Sequence, residues 1–246
     1  MTTSSRLFIG TAGWSIPRAS AEEFADEGTH LERYASRLSG AEINSSFYRP
    51  HAQAVYARWA ASTPPAFRFA VKLPKAITHE QQLARAGPAL DRFLEETAAL
   101  GERRGPILVQ LPPAFAFDAR VVGRFLTLLR GRYDGPVVCE PRHATWASAA
   151  AEAMLVRHRV ARVAADPARF AAAAEPGGWP GLVYYRLHGA PRVYWSRYEP
   201  HRLEAWAAAL RRVGPDVTAW CIFDNTASGS ALPNALELTQ SLRRDG

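Results

Sequence analysis

The chain has 246 residues, 48% of them hydrophobic, two cysteines and a formal net charge of +7. That is enough chain for a sizeable core; no run approaches the roughly eighteen apolar residues of a membrane span, and "MTTSSRLFIG" lacks the basic flank and cleavage site of a signal peptide. The expectations are one cytoplasmic domain over residues 1–246, no membrane partner, and no zinc or redox site, since Cys139 and Cys221 sit in apolar runs without CxxC spacing.

In chain order, short apolar runs read as strands: "RLFIG", "GAEIN", "FRFAVKL", "PILVQL", "PVVCE", "ARVAA", "LVYYRL" and "VTAWCIF". Between them "HAQAVYARWAAS", "LDRFLEETAAL", "ARVVGRFLTLLR", "WASAAAEAMLVRH", "RLEAWAAALRRV" and "LPNALELTQSLRR" repeat apolar residues three or four apart and read as helices. Gly-Pro pairs at 105–106, 135–136 and 214–215 punctuate strand starts. The stretch Pro167 to Pro180 has room for a short helix at most, so the sixth crossover is degenerate. Eight strand–helix units in this length predict an α/β fold, a single-domain (β/α)8 TIM barrel, with a doubly wound open sheet as the alternative.

Strand parity favours the barrel. Successive strand side chains point to opposite faces, so Ile43, Val71, Val109, Cys139 and Leu187 form one apolar set for the helices. The other parity carries Glu42, Asn44, Lys72, Gln110, Glu140, Arg142, Arg186 and His188, all near strand C-terminal ends. A sheet covered by helices on both faces has no place for so many charges, whereas a barrel mouth does. Arginine is the default cation here: the only lysines are Lys72 and Lys75, and asparagine occurs only at Asn44, Asn225 and Asn234. Lys72, Asn44 and Asn225, each at a strand end, are therefore informative.

The motifs "GTAGW", "EINSSFYRP", "FAVKLPKAITH", "ILVQLPP", "CEPRHATW", "YYRLHG" and "FDNTASGSALPNA", in this order, resemble the YecE-like family, domain of unknown function seventy-two, over roughly Phe8 to Leu242. The resemblance implies a TIM barrel and motif positions, and no reaction. The chain departs from that family after the first Gly-Trp, where "SIPRASAEEFADEG" is charged and short of aromatics.

Glu42 and Glu140 could serve as general acid and base, or be neutralised by Lys72, Arg142 and Arg186 in an ion network. A barrel glycosidase would place its carboxylates after strands four and seven, where Gln110 and His188 stand. Two flanking glutamates would raise the pKa of Lys72, favouring an electrostatic clamp for an anion over Schiff-base chemistry. His188 is a candidate general acid or base, or a neutral histidine bonded to a carboxylate. Trp14, Tyr48, Tyr194 and Tyr198 are candidate substrate contacts, as are Asp224 and Asn225, with "GAPRVYWSRYEP" as a lid. Strand-end histidines are too few for an endonuclease IV-like zinc centre, although Glu140 with Asp224 could take one magnesium. No nucleotide-cofactor fingerprint occurs, so no cofactor is implied. The reading is an enzyme of acid/base type acting on an anionic, phosphorylated small molecule, with catalytic candidates Glu42, Lys72, Glu140 and His188. Nucleic-acid binding, with or without cleavage, and a non-catalytic ligand sensor are the alternatives.

Overall fold

The computed structural model describes residues 6–244, which form an α/β fold with parallel sheets. The elements in order are β1 (Leu7–Thr11), α1 (His30–Ala35), β2 (Gly40–Ile43), α2 (Gln53–Ala61), β3 (Arg68–Lys72), α3 (Gly87–Ala98), β4 (Arg104–Gln110), α4 (Ala119–Arg130) and β5 (Val137–Glu140). There follow α5 (Ala149–Arg157), β6 (Val160–Arg162), β7 (Ala164–Asp166), β8 (Gly177–Gly178), β9 (Leu182–Leu187), α6 (Pro200–Arg211), β10 (Thr218–Phe223) and α7 (Ala231–Arg244). One sheet runs β1-β10-β9-β7 and the other β2-β3-β4-β5-β6-β8. All pairings are parallel except β6 with β8.

The helices follow from their patterns. In α4, Asp118 accepts from the N–H groups of Arg120 and Val121 at the start, and Val122, Phe125, Leu126 and Leu129 form one buried stripe. The short α1 escaped the reading of periodicity, although its start carries a reciprocal cap between Thr29 and Glu32. The expected sixth strand is two, β6 and β7, because Val163 interrupts the ladder; its crossover holds only a single short helical turn, Ala171–Ala174, and β8.

Two apolar clusters divide by strand parity. Ile43, Val71, Val109, Cys139 and Leu187 pack with the helices, as expected from the alternation. The opposite parity brings Ala70, Leu108, Val138 and Ala161 of one sheet against Tyr184, Trp220 and Ile222 of the other. The sheets thus face each other across an apolar layer, and two positions beyond Ala70, Leu108, Val138, Tyr184 and Ile222 stand Lys72, Gln110, Glu140, Arg186 and Asp224.

The free edges of β1 and β2 are stitched together by Tyr34. Its hydroxyl accepts from Thr11 N–H (2.8 Å) and donates to the Gly40 carbonyl (3.0 Å), in a ring that is fully buried. Ala12 and Glu42 form a parallel bridge above it, with Gly13 N–H donating to the Glu42 carbonyl at 2.8 Å. Removing that hydroxyl leaves a buried amide without its acceptor. Tyr34→Phe is expected to lower stability by about 1–3 kcal/mol in denaturant titration; an unchanged midpoint would show that the stitch contributes nothing.

Candidate functional site

The charged parity set converges on Arg186, whose side chain is fully buried. Its Nε donates to Glu42 Oε2 (2.9 Å) and its Nη2 to Glu42 Oε1 (2.6 Å) and Asp224 Oδ2 (3.1 Å), while Nη1 donates to Glu140 Oε2 (2.8 Å). One guanidinium therefore serves three carboxylates, from the end of β2, the end of β5 and the residue after β10. Tyr184 donates its hydroxyl to Glu42 Oε2 (2.9 Å), and Gln110 Nε2 donates to Glu140 Oε2 (2.9 Å). The other oxygen of Glu140 accepts from Arg142 Nε (2.9 Å) and lies 3.2 Å from His188 Nε2. His188 Nδ1 lies 3.0 Å from Asp224 Oδ2, so both ring nitrogens face carboxylates.

Each ionisation answers to burial first and to these partners second. Burial drives the carboxyl of Glu140 upward, but Arg186, Arg142 and His188 outweigh it and hold the group well below the ordinary range. Asp224 is likewise pushed up by burial and brought lower by Arg186 and His188. Burial lowers His188, and Glu140 with Asp224 reverses the sign, leaving its pKa raised. Arg186 is raised well above its usual value by the same carboxylates. The cluster is an ionised network, with histidine favouring its protonated form.

Lys72 departs from expectation. It is 5% exposed, yet no carboxylate or hydrogen-bond acceptor meets its Nζ among the described residues; the ammonium lies 4.0 Å from the centre of the Phe47 ring. Burial, reinforced by Arg186, lowers its pKa to about 8, against the opposing pull of Glu42, Glu140 and Asp224. The flanking glutamates do pull it upward, but burial and the positive charge of Arg186 outweigh them. His79, in the helical turn Ala76–Glu80 after β3, packs its ring against Phe47 (4.9 Å), and its pKa is lowered by burial, then by Lys72 and Arg142. Lys72, Arg142 and His79 thus form a basic rim beside the network.

The remaining candidates divide. Tyr194 lies over His188 (5.5 Å between rings), receives a 3.4 Å bond from Arg142 Nη2, and has a φ of 65°, a strained value for a tyrosine. Between it and Glu140, Arg142 and His188 remains a cavity of only about 20 Å³. Tyr48 is exposed at the rim, 70% accessible, edge-on to Phe47. Trp14 and Asn44 are not in the network; with His30 they line a neighbouring cavity of about 260 Å³. Tyr198 is not at the site: it is 2% exposed, packed on Trp206 and Phe223, with its hydroxyl bonded to Gly189 N–H and Asp166. Asn225 also turns away, its Nδ2 donating to the Ser196 carbonyl and Asn234 Oδ1, so Asp224 alone represents β10 in the cluster. Tyr184 was missed, although it shares the parity of Arg186 and His188.

A magnesium between Glu140 and Asp224 does not fit this geometry. Both Glu140 oxygens and Asp224 Oδ2 are committed to Arg186, Arg142 or His188, and no cluster of metal-ligating side chains occurs among the described residues.

A model of the family described as protein of unknown function DUF72 matches residues 8–246. The UPF0759 protein YecE of Escherichia coli K12 is 31% identical over 139 residues, which are 56% of this chain and 48% of that protein. The match thus spans about half the length of that relative. Among solved structures, a DUF72 family protein from Enterococcus faecalis V583 superposes with a TM-score of 0.80 at 23% identity, covering 96% of this chain and 95% of that one. Another from Thermotoga maritima MSB8 gives 0.79 at 22%, covering 96% and 99%. These likenesses speak to fold.

Arg186 and Lys72 should respond oppositely to substitution. Arg186→Leu removes the cation shared by three buried carboxylates and is expected to cost about 3–5 kcal/mol or to prevent folding, with Arg186→Lys a poor rescue because donors on a single nitrogen cannot span acceptors that Nε, Nη1 and Nη2 reach from separate positions. Folding lowers the pKa of Lys72, so the unfolded chain holds that proton more tightly. The buried charge therefore costs stability below about pH 8, and the cost is relieved as pH rises toward the ordinary lysine value near 10.4. Lys72→Met should accordingly raise stability by about 1–3 kcal/mol at neutral pH, with the gain shrinking by about pH 10. Denaturant titrations at both pH values check this; a destabilised Lys72→Met would make the ammonium a required counter-ion instead.

Proposed function

The chain belongs to the DUF72 family, and from that premise and the geometry at the strand C-terminal ends we propose that it is an enzyme acting by acid/base chemistry on a small anionic, phosphorylated molecule. The observation that carries the reading is Lys72, a buried cation left without a carboxylate partner while every neighbouring acid is already paired. Arg142 stands nearby and His79, held toward its neutral form, offers a ring N–H, so an entering phosphate would meet two cations and a neutral donor.

In this reading the two groups that move or bind protons are His188 and Lys72. His188, with raised pKa, is the general acid; it borders the small cavity lined also by Glu140, Arg142 and Tyr194, and its Nε2 would exchange Glu140 Oε1 for substrate. Glu42 is a positioning residue, since Arg186 and Tyr184 occupy both its oxygens. Gln110 likewise orients Glu140. Tyr194 and its loop would have to shift for substrate to enter, as strained lids do elsewhere.

We also take the two sheets to be halves of one closed (β/α)8 barrel. What supports this is continuity on both sides: residues 160–166 pair with β5 in one sheet and with β9 in the other, and Ala12 bridges Glu42 where β1 meets β2. Catalytic groups at the C-terminal ends of such strands are the rule for that architecture.

The binding half of the proposal is testable without knowing the substrate. Calorimetric titration with inorganic phosphate and simple sugar phosphates should show affinity that falls about tenfold between pH 7 and pH 9, as an ammonium titrating at about 8 loses its proton. Arg142→Ala and Lys72→Met should each weaken it. Binding that is flat across that range, or retained by Lys72→Met, would remove the anion-site reading.

A further inference from the structure

At the opposite end of the strands lies a cavity of about 550 Å³, within the size range of small-molecule sites. It opens between strand starts, at Phe8 of β1, Arg68 of β3, Gly105 of β4, Leu182 of β9 and Thr218 of β10. Five arginines line it, Arg6, Arg68, Arg104, Arg130 and Arg159, against two acids, Asp134 and Asp216. The only ion pair there among the described residues joins Arg159 to Asp134 at 3.2 Å. The balance is strongly positive.

The arginines differ in how far the protein uses them. Arg130 is structural: Nε and both Nη atoms donate to the carbonyls of His158, Tyr133, Gly135 and Arg159. Burial, and then the nearby Arg159, lowers its pKa. Among the described residues, Arg6, Arg68 and Arg104 hydrogen-bond the protein through Nη1 alone, to backbone carbonyls and, for Arg104, also the Thr97 hydroxyl. Their Nε and Nη2 donors are uncommitted in a fork geometry suited to phosphate.

The floor is aromatic. Phe8 stacks on Trp220 with ring centres 4.6 Å apart, and Trp179 lines the same cavity. Gly105 lets the indole lie flat on β4, since a Cβ there would sit 2.7 Å from the Trp220 ring. A flat apolar surface ringed by guanidinium groups matches a ligand with a planar ring at one end and phosphate at the other. We propose that this cavity is a second ligand site, for a nucleotide, distinct from the cluster at the strand C-terminal ends. The ring lies against Phe8 and Trp179, and the phosphates meet Arg6, Arg68 and Arg104.

The site predicts behaviour independent of the phosphate site at the other end. With the full chain and ADP as probe, tryptophan fluorescence and calorimetry should both saturate, pyrophosphate should compete, and adenosine should bind more weakly than ADP. Arg68→Glu and Arg6→Glu should each weaken ADP at least about tenfold by reversing a phosphate-facing charge. Arg6 is exposed, so Arg6→Glu keeps the test valid if Arg68→Glu fails to fold. Lys72→Met should bind ADP as the parent does, which separates failure here from failure at the other end. No saturation by about 10 mM ADP, a range covering even weak metabolite sites, would overturn the proposal. So would unchanged affinity in the folded arginine variants, or loss in Lys72→Met. Duplex DNA binding more tightly than ADP at physiological salt, with a steep salt dependence and sensitive to the same arginines, would replace it with a nucleic-acid surface.

Discussion

The bonds from Arg186 to Glu42, Glu140 and Asp224 constrain the rest of the molecule. Glu42 and Glu140 stand on the six-stranded sheet, while Arg186 and Asp224 belong to the four-stranded one, so a single guanidinium ties the two sheets together above their shared apolar layer. Three carboxylates could not be buried beside one another without such a group, because each would carry a desolvation penalty with no compensating charge. The planar fork of arginine spreads five N–H donors over three nitrogens, so one side chain spans acceptors on three separate carboxylates. Strand register follows from it: a shift of one residue in β9 would aim Arg186 at the helices and leave the acids stranded.

From that pairing comes the division of roles in the cluster. Glu140 and Asp224 are held toward their ionised forms by arginine, and in turn they hold His188 toward its protonated form. Lys72 is left over, its charge resting on the Phe47 ring and opposed by burial. Neighbouring groups displaced in opposite directions from their ordinary ionisation are what acid/base sites require, and ion networks of purely structural purpose share that property. The unpartnered lysine is the feature that favours the proposed acid/base reading, because a closed network would have satisfied it.

The two ends of the strands use charge differently. At the C-terminal ends acids and bases are matched almost one to one and the space between them is nearly filled. At the N-terminal ends arginines outnumber acids around an open, aromatic-floored cavity. In a chain whose cations are almost all arginine, composition alone cannot separate these cases; pairing and cavity shape do.

Much of this was legible in the residues before any coordinates. Alternation along "FRFAVKL", "PILVQL", "PVVCE" and "LVYYRL" determined which side chains face the helices and which gather with Arg186, because strand geometry allows only two directions. It gathered Glu42, Lys72, Gln110, Glu140, Arg142, Arg186 and His188 at one end and would have added Tyr184, but it also included Asn44, which lies past the end of β2 and lines a neighbouring cavity instead. Partnership was decided only by the tertiary structure. Nothing local says that Arg186 rather than Lys72 reaches both glutamates, since they are brought together from residues more than forty positions apart. The direction of the Lys72 shift depends on that choice. Loop residues were equally illegible: Tyr198 and Asn225 carry chemistry in the sequence, but outside a strand there is no alternation to orient them, and packing against Trp206 and bonding to Asn234 turned them away. Side-chain direction is a local property of a strand, whereas electrostatic pairing depends on distances that exist only once the chain has folded.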